Sequence, residues 1–212
     1  MVRPKIEQSA NELYTSNAGL AIVGQLLNRH VDWKGLLRSI PLRHGIGHAD
    51  LLKTYLGLLC MGKSDFEAVE GVRRDMFFQE MLDVTRPPSE VTLRQRFDGH
   101  AREFVDAAFE ARKHLLAGLQ VPVTPLWTGH VPLDGDASPL DNSKTQKEEV
   151  SRTYKGMDGY TPMFFYLGQE GWSIASELRP GSWNGQREFD YVLERVFETV
   201  EAVTPLRVLC RL

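Results

Sequence analysis

The hydrophobic pattern of this chain changes period once, near Gly118, and that change constrains the fold more than any other feature. Before it, apolar residues recur at helical spacing. After it, short apolar runs alternate with turn residues. Residues 16–117 therefore read as mostly helical. Ser16 can cap a first helix that places Leu20, Val23, Leu26 and Leu27 on one face. Residues 48–61, HADLLKTYLGLLCM, are apolar on most sides, which predicts a central helix of a bundle. Ser64 and Glu67 have capping-box spacing and predict another helix, with Phe66, Val69 and Val72 inward. Pro87 and Pro88 interrupt. Ser89 then caps SEVTLRQRF, which buries Leu93 and Phe97 and turns Arg94 and Arg96 outward. Helix resumes over residues 101–117.

Residues 119–129, LQVPVTPLWTG, read as an extended connection because of their apolar–proline alternation. Three strands are predicted next: Val131–Asp136, Thr161–Leu167 and Trp172–Leu178, the last two joined by the turn Gly168–Gly171. Residues 186–203 are amphipathic at helical spacing, and Leu206–Leu212 reads as a final strand. The expected architecture is α+β: a helical domain over residues 1–120, then an α/β domain over 121–212 with the order strand, strand, strand, helix, strand.

Charge does not announce a nucleic-acid partner, since the net formal value is −3. It divides unevenly. Residues 1–120 carry 16 Lys and Arg against 15 Asp and Glu, and residues 121–212 carry 9 against 13. Cys60 and Cys210 each sit in an apolar run and read as reduced core residues. No CxxC or HExxH spacing suggests zinc. The first residues, MVRPKIEQSANEL, lack the apolar core of a signal peptide, and no apolar stretch is long enough to span a membrane, so a cytoplasmic location is expected.

The sharpest chemical signal is HVPLDGDASPL, residues 130–140. Strand spacing puts Asp134 and Asp136 on one face if the strand runs through them. Carboxylates at a strand end suit a divalent cation that completes its shell with phosphate oxygens and water. Asp-Gly-Asp is equally ordinary turn chemistry. The following segment, Asp141–Asp158, is polar and offers Lys144, Lys147, Arg152 and Lys155 to a phosphate backbone, or else forms a solvated loop. Arg179, a further candidate DNA contact, opens the loop RPGSWNGQ, where Trp183 either stacks on a base or packs. In the helical half, Arg73 and Arg74 fall in one predicted helix and Arg94 and Arg96 in another, an arrangement compatible with a helix-turn-helix reader of DNA.

These residues resemble a family. LDGDASPLDNSKTQKEEVSRTYKGMDGYTPMFFYLGQEGW, followed by ELRPGSWNGQ, is similar to the catalytic-domain opening of bacterial insertion-sequence transposases of the DDE type. GLAIVGQLL, GKSDFEAVEGVRRD and PPSEVTLRQRFD are similar to the helical N-terminal region of the same family. The resemblance implies a ribonuclease-H-like fold, in which three antiparallel strands precede a helix and a fourth strand runs parallel to the first. It implies cut-and-paste DNA transposition with two Mg²⁺ (or Mn²⁺) ions held by Asp, Asp and Glu. It makes Asp136, followed two positions on by Ser138, the first catalytic and metal-holding acid, with Asp134 as the fallback. The implied partners are the double-stranded DNA of element ends and a second copy or a full-length transposase, with no membrane.

The resemblance places the second Asp just after the strand Leu206–Leu212, so the chain reads as the front part of such an enzyme. One carboxylate does not fix two metal ions, and residues 1–212 alone are expected not to cleave or join DNA. Specific nicks in DNA carrying the cognate ends, with Mg²⁺ or Mn²⁺ supplied, would overturn that expectation. Leu206, Val208 and Leu209 are expected to lie on an under-protected edge. Two alternatives stay open. LDGDAS also resembles the Asp-x-Asp-x-Thr/Ser opening of haloacid-dehalogenase-type phosphatases, with Asp134 as nucleophile and Asp136 as acid/base. A non-catalytic DNA-binding or repressor fragment is the other, and its binding should survive Asp136→Ala.

Overall fold

The computed structural model describes residues 15–42 and 44–212. The stretch weighed above as a signal peptide lies outside the described residues. Two compact units divide within one helix, the first ending at Ala108 and the second beginning at Phe109, whereas composition placed the boundary after residue 120. The architecture is α+β, with a helical part and a mixed sheet.

The helical unit contains α1 (Leu20–His30), α2 (Trp33–Leu37), α3 (His48–Cys60), a 3-10 helix (Phe66–Gly71), α4 (Met76–Leu82), α5 (Glu90–Gly99) and the first part of α6 (Ala101–Gly118). Side-chain caps decide several starts. Asp32 accepts from the Gly35 amide, Asp75 from Phe78 and Ser89 from Thr92. Ser16 does not cap α1, which starts after Gly19 without a side-chain cap. The segment with capping-box spacing forms the 3-10 helix instead of an α-helix, with Asp65 at its start and no side-chain cap. Val69 and Val72 are buried there as expected.

α3 is the central helix, with Leu51, Leu52 and Leu58 buried. Lys53 and Thr54 are buried on it too. The Lys53 ammonium donates to the Asp83 carbonyl at 3.1 Å and to its carboxylate at 3.2 Å, and Asp83 ends α4 in a left-handed conformation. Asp50 accepts from the amides of Thr85 and Arg86 at 3.2 and 3.3 Å, so α3 holds the whole connection from α4 to α5.

Arg96 departs from its predicted outward position. Its guanidinium donates to the buried His48 ring at 3.2 Å and to the His44 carbonyl at 3.3 Å, which ties α5 to the start of α3. With Nδ1 accepting from Arg96, Nε2 of His48 donates to the Pro41 carbonyl, and the ring is neutral. Burial, and to a lesser degree the charges of Arg96 and His100, hold its pKa below the ordinary 6.5, against the hydrogen bond to Pro41. A base whose folded pKa is depressed binds more protons when unfolded. Stability is therefore full above about 6.5 and falls as pH drops through that value toward the folded pKa. Melting of the chain is expected to weaken as pH falls from neutral through about 6.5, with a shallower loss in His48→Gln. Parallel profiles for the two proteins would sink this account.

The second unit holds the rest of α6, then β1 (Val131–Ala137), β2 (Leu140–Asp141), β3 (Ser151–Arg152), β4 (Asp158–Tyr160), β5 (Met163–Leu167), β6 (Trp172–Glu177), α7 (Phe189–Val203) and β7 (Val208–Arg211). The main sheet has the order β6-β5-β1-β7. β1 pairs antiparallel with β5 and β5 with β6, while β7 lies parallel to β1, from Val131 opposite Val208 to Asp134 opposite Arg211. A parallel neighbour needs a crossover, and α7 supplies it. Val192, Val196 and Val200 of α7 pack with Val131, Leu133, Phe165, Leu167 and Ile174 of the sheet. Each such side chain contributes about 1.5–3 kcal/mol on burial. Leu206 and Leu209 are exposed, while Val208 packs against this core.

A second sheet, β2-β4-β3, occupies the polar segment after β1. Its strands are too short for a periodicity signal. Neither cysteine belongs to a core: Cys60, at the end of α3, and Cys210, in β7, are both free thiols on exposed residues. Among the described residues, no helix is long and apolar enough to cross a membrane.

Candidate functional site

The Asp-Gly-Asp triplet lies within β1, in unbroken register with β5, and not in a turn. Alternation decides the faces. Val131, Leu133 and Ala137 pack on the α7 core, so Asp134 and Asp136 share the opposite face. Gly135 points coreward between them. A Cβ there would meet the Phe165 ring at 2.7 Å and Leu212 at 2.8 Å, so the glycine makes room for packing beneath the acids.

The two carboxylates differ in their commitments. Both oxygens of Asp134 accept from Arg211, Nε at 2.5 Å and a terminal nitrogen at 2.6 Å, a fork held in place by the parallel register that sets these residues side by side. The Asp134 carboxylate in turn raises the Arg211 pKa above the usual arginine value. Asp136 is exposed, and one of its oxygens accepts from the adjacent Ala137 amide at 2.8 Å. Its carboxylate keeps acceptor capacity free for a hard cation. Among the described residues, no three His, Cys, Asp or Glu side chains gather as a metal-holding group.

The basic residues predicted to flank the acids separate into different settings. Lys144 and Lys147 are exposed in the loop between β2 and β3. Arg152, on β3, pairs with Asp158 at 3.4 Å and stays exposed. Lys155 lies 5.8 Å from the ring of Tyr154, and the Tyr154 hydroxyl donates to the Ala137 carbonyl at 3.3 Å. That bond sets Tyr154, the neighbour of Lys155 in sequence, at the end of β1.

Arg179, expected as a DNA contact, is instead buried. It is 1% exposed and forms an ion pair at 3.7 Å with Glu177, while among the described residues none of its side-chain nitrogens has a hydrogen-bond partner. Burial raises the Glu177 pKa, against the opposing pull of Arg179 and Arg195. Trp183 is half-buried, with the Arg187 guanidinium 4.2 Å from its ring centroid. The surrounding backbone explains the burial. Thr161 donates its amide to the Arg179 carbonyl at 3.0 Å and its hydroxyl to the Gly181 carbonyl at 3.1 Å, which folds the Arg-Pro-Gly segment onto β4.

The four arginines of the helical unit do not form one face of a recognition helix. Arg73 and Arg74 lie in the turn after the 3-10 helix, not in a helix. Arg73 pairs with Glu70 at 2.9 Å. Arg94 is exposed, pairs with Glu90 at 2.8 Å and approaches the Phe66 ring. Arg96 is committed to His48 as described above.

Two residues absent from the sequence prediction, Arg211 and Tyr154, contact β1 directly. Arg211 becomes visible only once the register of β7 on β1 is known. No family model, no curated protein and no solved structure matches this chain.

Proposed function

We propose that the chain is part of a DNA transposase of the DDE type, that residues 109–212 open its ribonuclease-H-like domain, and that Asp136 is the first metal-holding acid. The observation that carries this reading is the position of Asp136. It is an exposed carboxylate leaving an interior strand, on the face opposite α7. The sheet order supports the fold. Within the main sheet, β1, β5 and β6 pair antiparallel, α7 follows, and β7 returns parallel to β1, the order the resemblance leads one to expect. Oxygen donors of this kind fit Mg²⁺ or Mn²⁺.

Asp136 holds one position of a metal shell, and Lys155, near the strand end, attracts a phosphate oxygen. Asp134 serves as the counter-charge of Arg211. The phosphatase alternative asks Asp134 to attack as a nucleophile, and a carboxylate with both oxygens held by a guanidinium is poorly placed to do so.

The test is Mn²⁺-induced broadening of amide resonances in the full chain. Broadening is expected to centre on residues 135–138, to vanish in Asp136→Asn and to persist in Asp134→Asn. Broadening that survives Asp136→Asn unchanged would remove the assignment.

A further inference from the structure

The helical unit carries a cleft of about 410 Å³ lined by Glu70, Arg73, Arg74, Arg86 and Pro87. Three guanidinium groups and one carboxylate line it, an excess of two positive charges. The single carboxylate is already committed. One Glu70 oxygen accepts from Arg73 at 2.9 Å and the other from the Glu90 amide at 3.1 Å, and these bonds hold the Glu70 pKa below the usual carboxylate value.

Arg74 and Arg86 differ from Arg73. Both are exposed, and among the described residues neither guanidinium has a hydrogen-bond or ion-pair partner. Their backbones are nevertheless fixed. Arg86 donates its amide to Asp50 of the central helix, next to the rigid Pro87-Pro88 pair. Arg74 lies between Arg73, whose carbonyl accepts from Gln79, and Asp75, which caps α4. Two unpaired guanidinium forks on anchored backbone beside a polar cleft make a receptor for an acceptor-rich anion, and phosphate, with several oxygens for the two forks, suits them.

We propose that this cleft binds a phosphate group between Arg74 and Arg86, with the Arg73–Glu70 pair forming its wall. The site does not use the carboxylates of β1 and stands whether or not the transposase reading holds. Two sources carry such a phosphate, a nucleic-acid backbone and a small phosphorylated molecule, and the chemistry of capture is the same.

The test uses the full chain, wild type and Arg74→Gln/Arg86→Gln. As a control of equal charge loss it uses Arg29→Gln/Arg102→Gln, two exposed arginines that do not line the cleft. Binding of a fluorescein-labelled mixed-sequence DNA duplex is measured against salt, and inorganic phosphate is titrated by NMR. If the phosphate comes from nucleic acid, the cleft variant loses about tenfold in duplex affinity near 50 mM salt, and its log–log salt slope flattens by about one, the share of a single phosphate contact. If the source is a small molecule, inorganic phosphate shifts the backbone amide resonances of residues 73–75 and 85–86 in the wild type and leaves those of the variant in place, and duplex binding is absent or unchanged. Since neither arginine has a partner to lose, the variant should melt as the wild type does. The proposal falls if the control weakens duplex binding as much as the cleft variant, or if neither probe distinguishes variant from wild type.

Discussion

Replacing Arg211 with Met is expected to strengthen Mn²⁺ binding at the end of β1 by about tenfold. The guanidinium now holds both oxygens of Asp134 and cancels its charge. Without it, Asp134 becomes a second free carboxylate on the face that already presents Asp136. Residues two apart on a strand are separated by about 6–7 Å. At that distance, even in the dielectric of water, one added negative charge attracts a divalent ion enough to change its affinity about tenfold. Losing the nearby cation acts in the same direction. Both side chains are substantially exposed, so salt screens the gain, and it should shrink at high ionic strength. The double variant Arg211→Met/Asp134→Asn separates the causes, since it should return to near wild-type affinity. If Arg211→Met binds Mn²⁺ no better than the wild type, Asp134 and Asp136 do not act on a common ion.

This pair shows where sequence reading reaches its limit. The face shared by Asp134 and Asp136 followed from a period of two, because a strand obeys that alternation wherever it pairs. Their division of labour did not follow, because it depends on the register of β7 against β1, a long-range property that local pattern does not encode. The same distinction holds in the helical unit. α3 and α6 were legible because they are long and apolar on a consistent face. α2 and α4 have 5 and 7 residues, and their caps at Asp32 and Asp75 are plain only once the helices are known. Arg96 looked like a surface residue, as an isolated arginine usually is. Its inward turn depends on His48, a buried acceptor that lies 48 positions earlier. The cysteines failed for a related reason: an apolar run shows that a segment packs, not which of its side chains points inward.

Gly181→Ala should disrupt the small sheet beside β1, at a cost of about 3 kcal/mol, the upper end for overpacking. A Cβ at this position would stand 2.1 Å from the Ser151 carbonyl oxygen and 2.4 Å from that of Gly159. These are backbone atoms of β3 and β4, and neither can swing away as a side-chain tip would. Several bonds converge on the same contact. Thr161 donates to the Gly181 carbonyl, the Ser182 amide donates to the Ser151 hydroxyl at 2.9 Å, and Tyr160 bridges to Pro180. Displacing Gly181 therefore loosens β3 and β4 and unpacks the buried Arg179 two residues earlier. Gly185, in the same loop, has open space where its Cβ would be and no positive φ, so Gly185→Ala should change stability by less than about 0.5 kcal/mol. Amide exchange at Thr161 and Ser182 reads the effect locally, and it should accelerate in Gly181→Ala and not in Gly185→Ala. The consequence for the site runs through Tyr154, which follows β3 and donates to the Ala137 carbonyl. If the sheet loosens, Tyr154 and Lys155 leave the end of β1 while Asp136 stays in its strand. Mn²⁺ broadening at residues 135–138 should then persist in Gly181→Ala. Its loss would show that the small sheet helps hold the carboxylate itself.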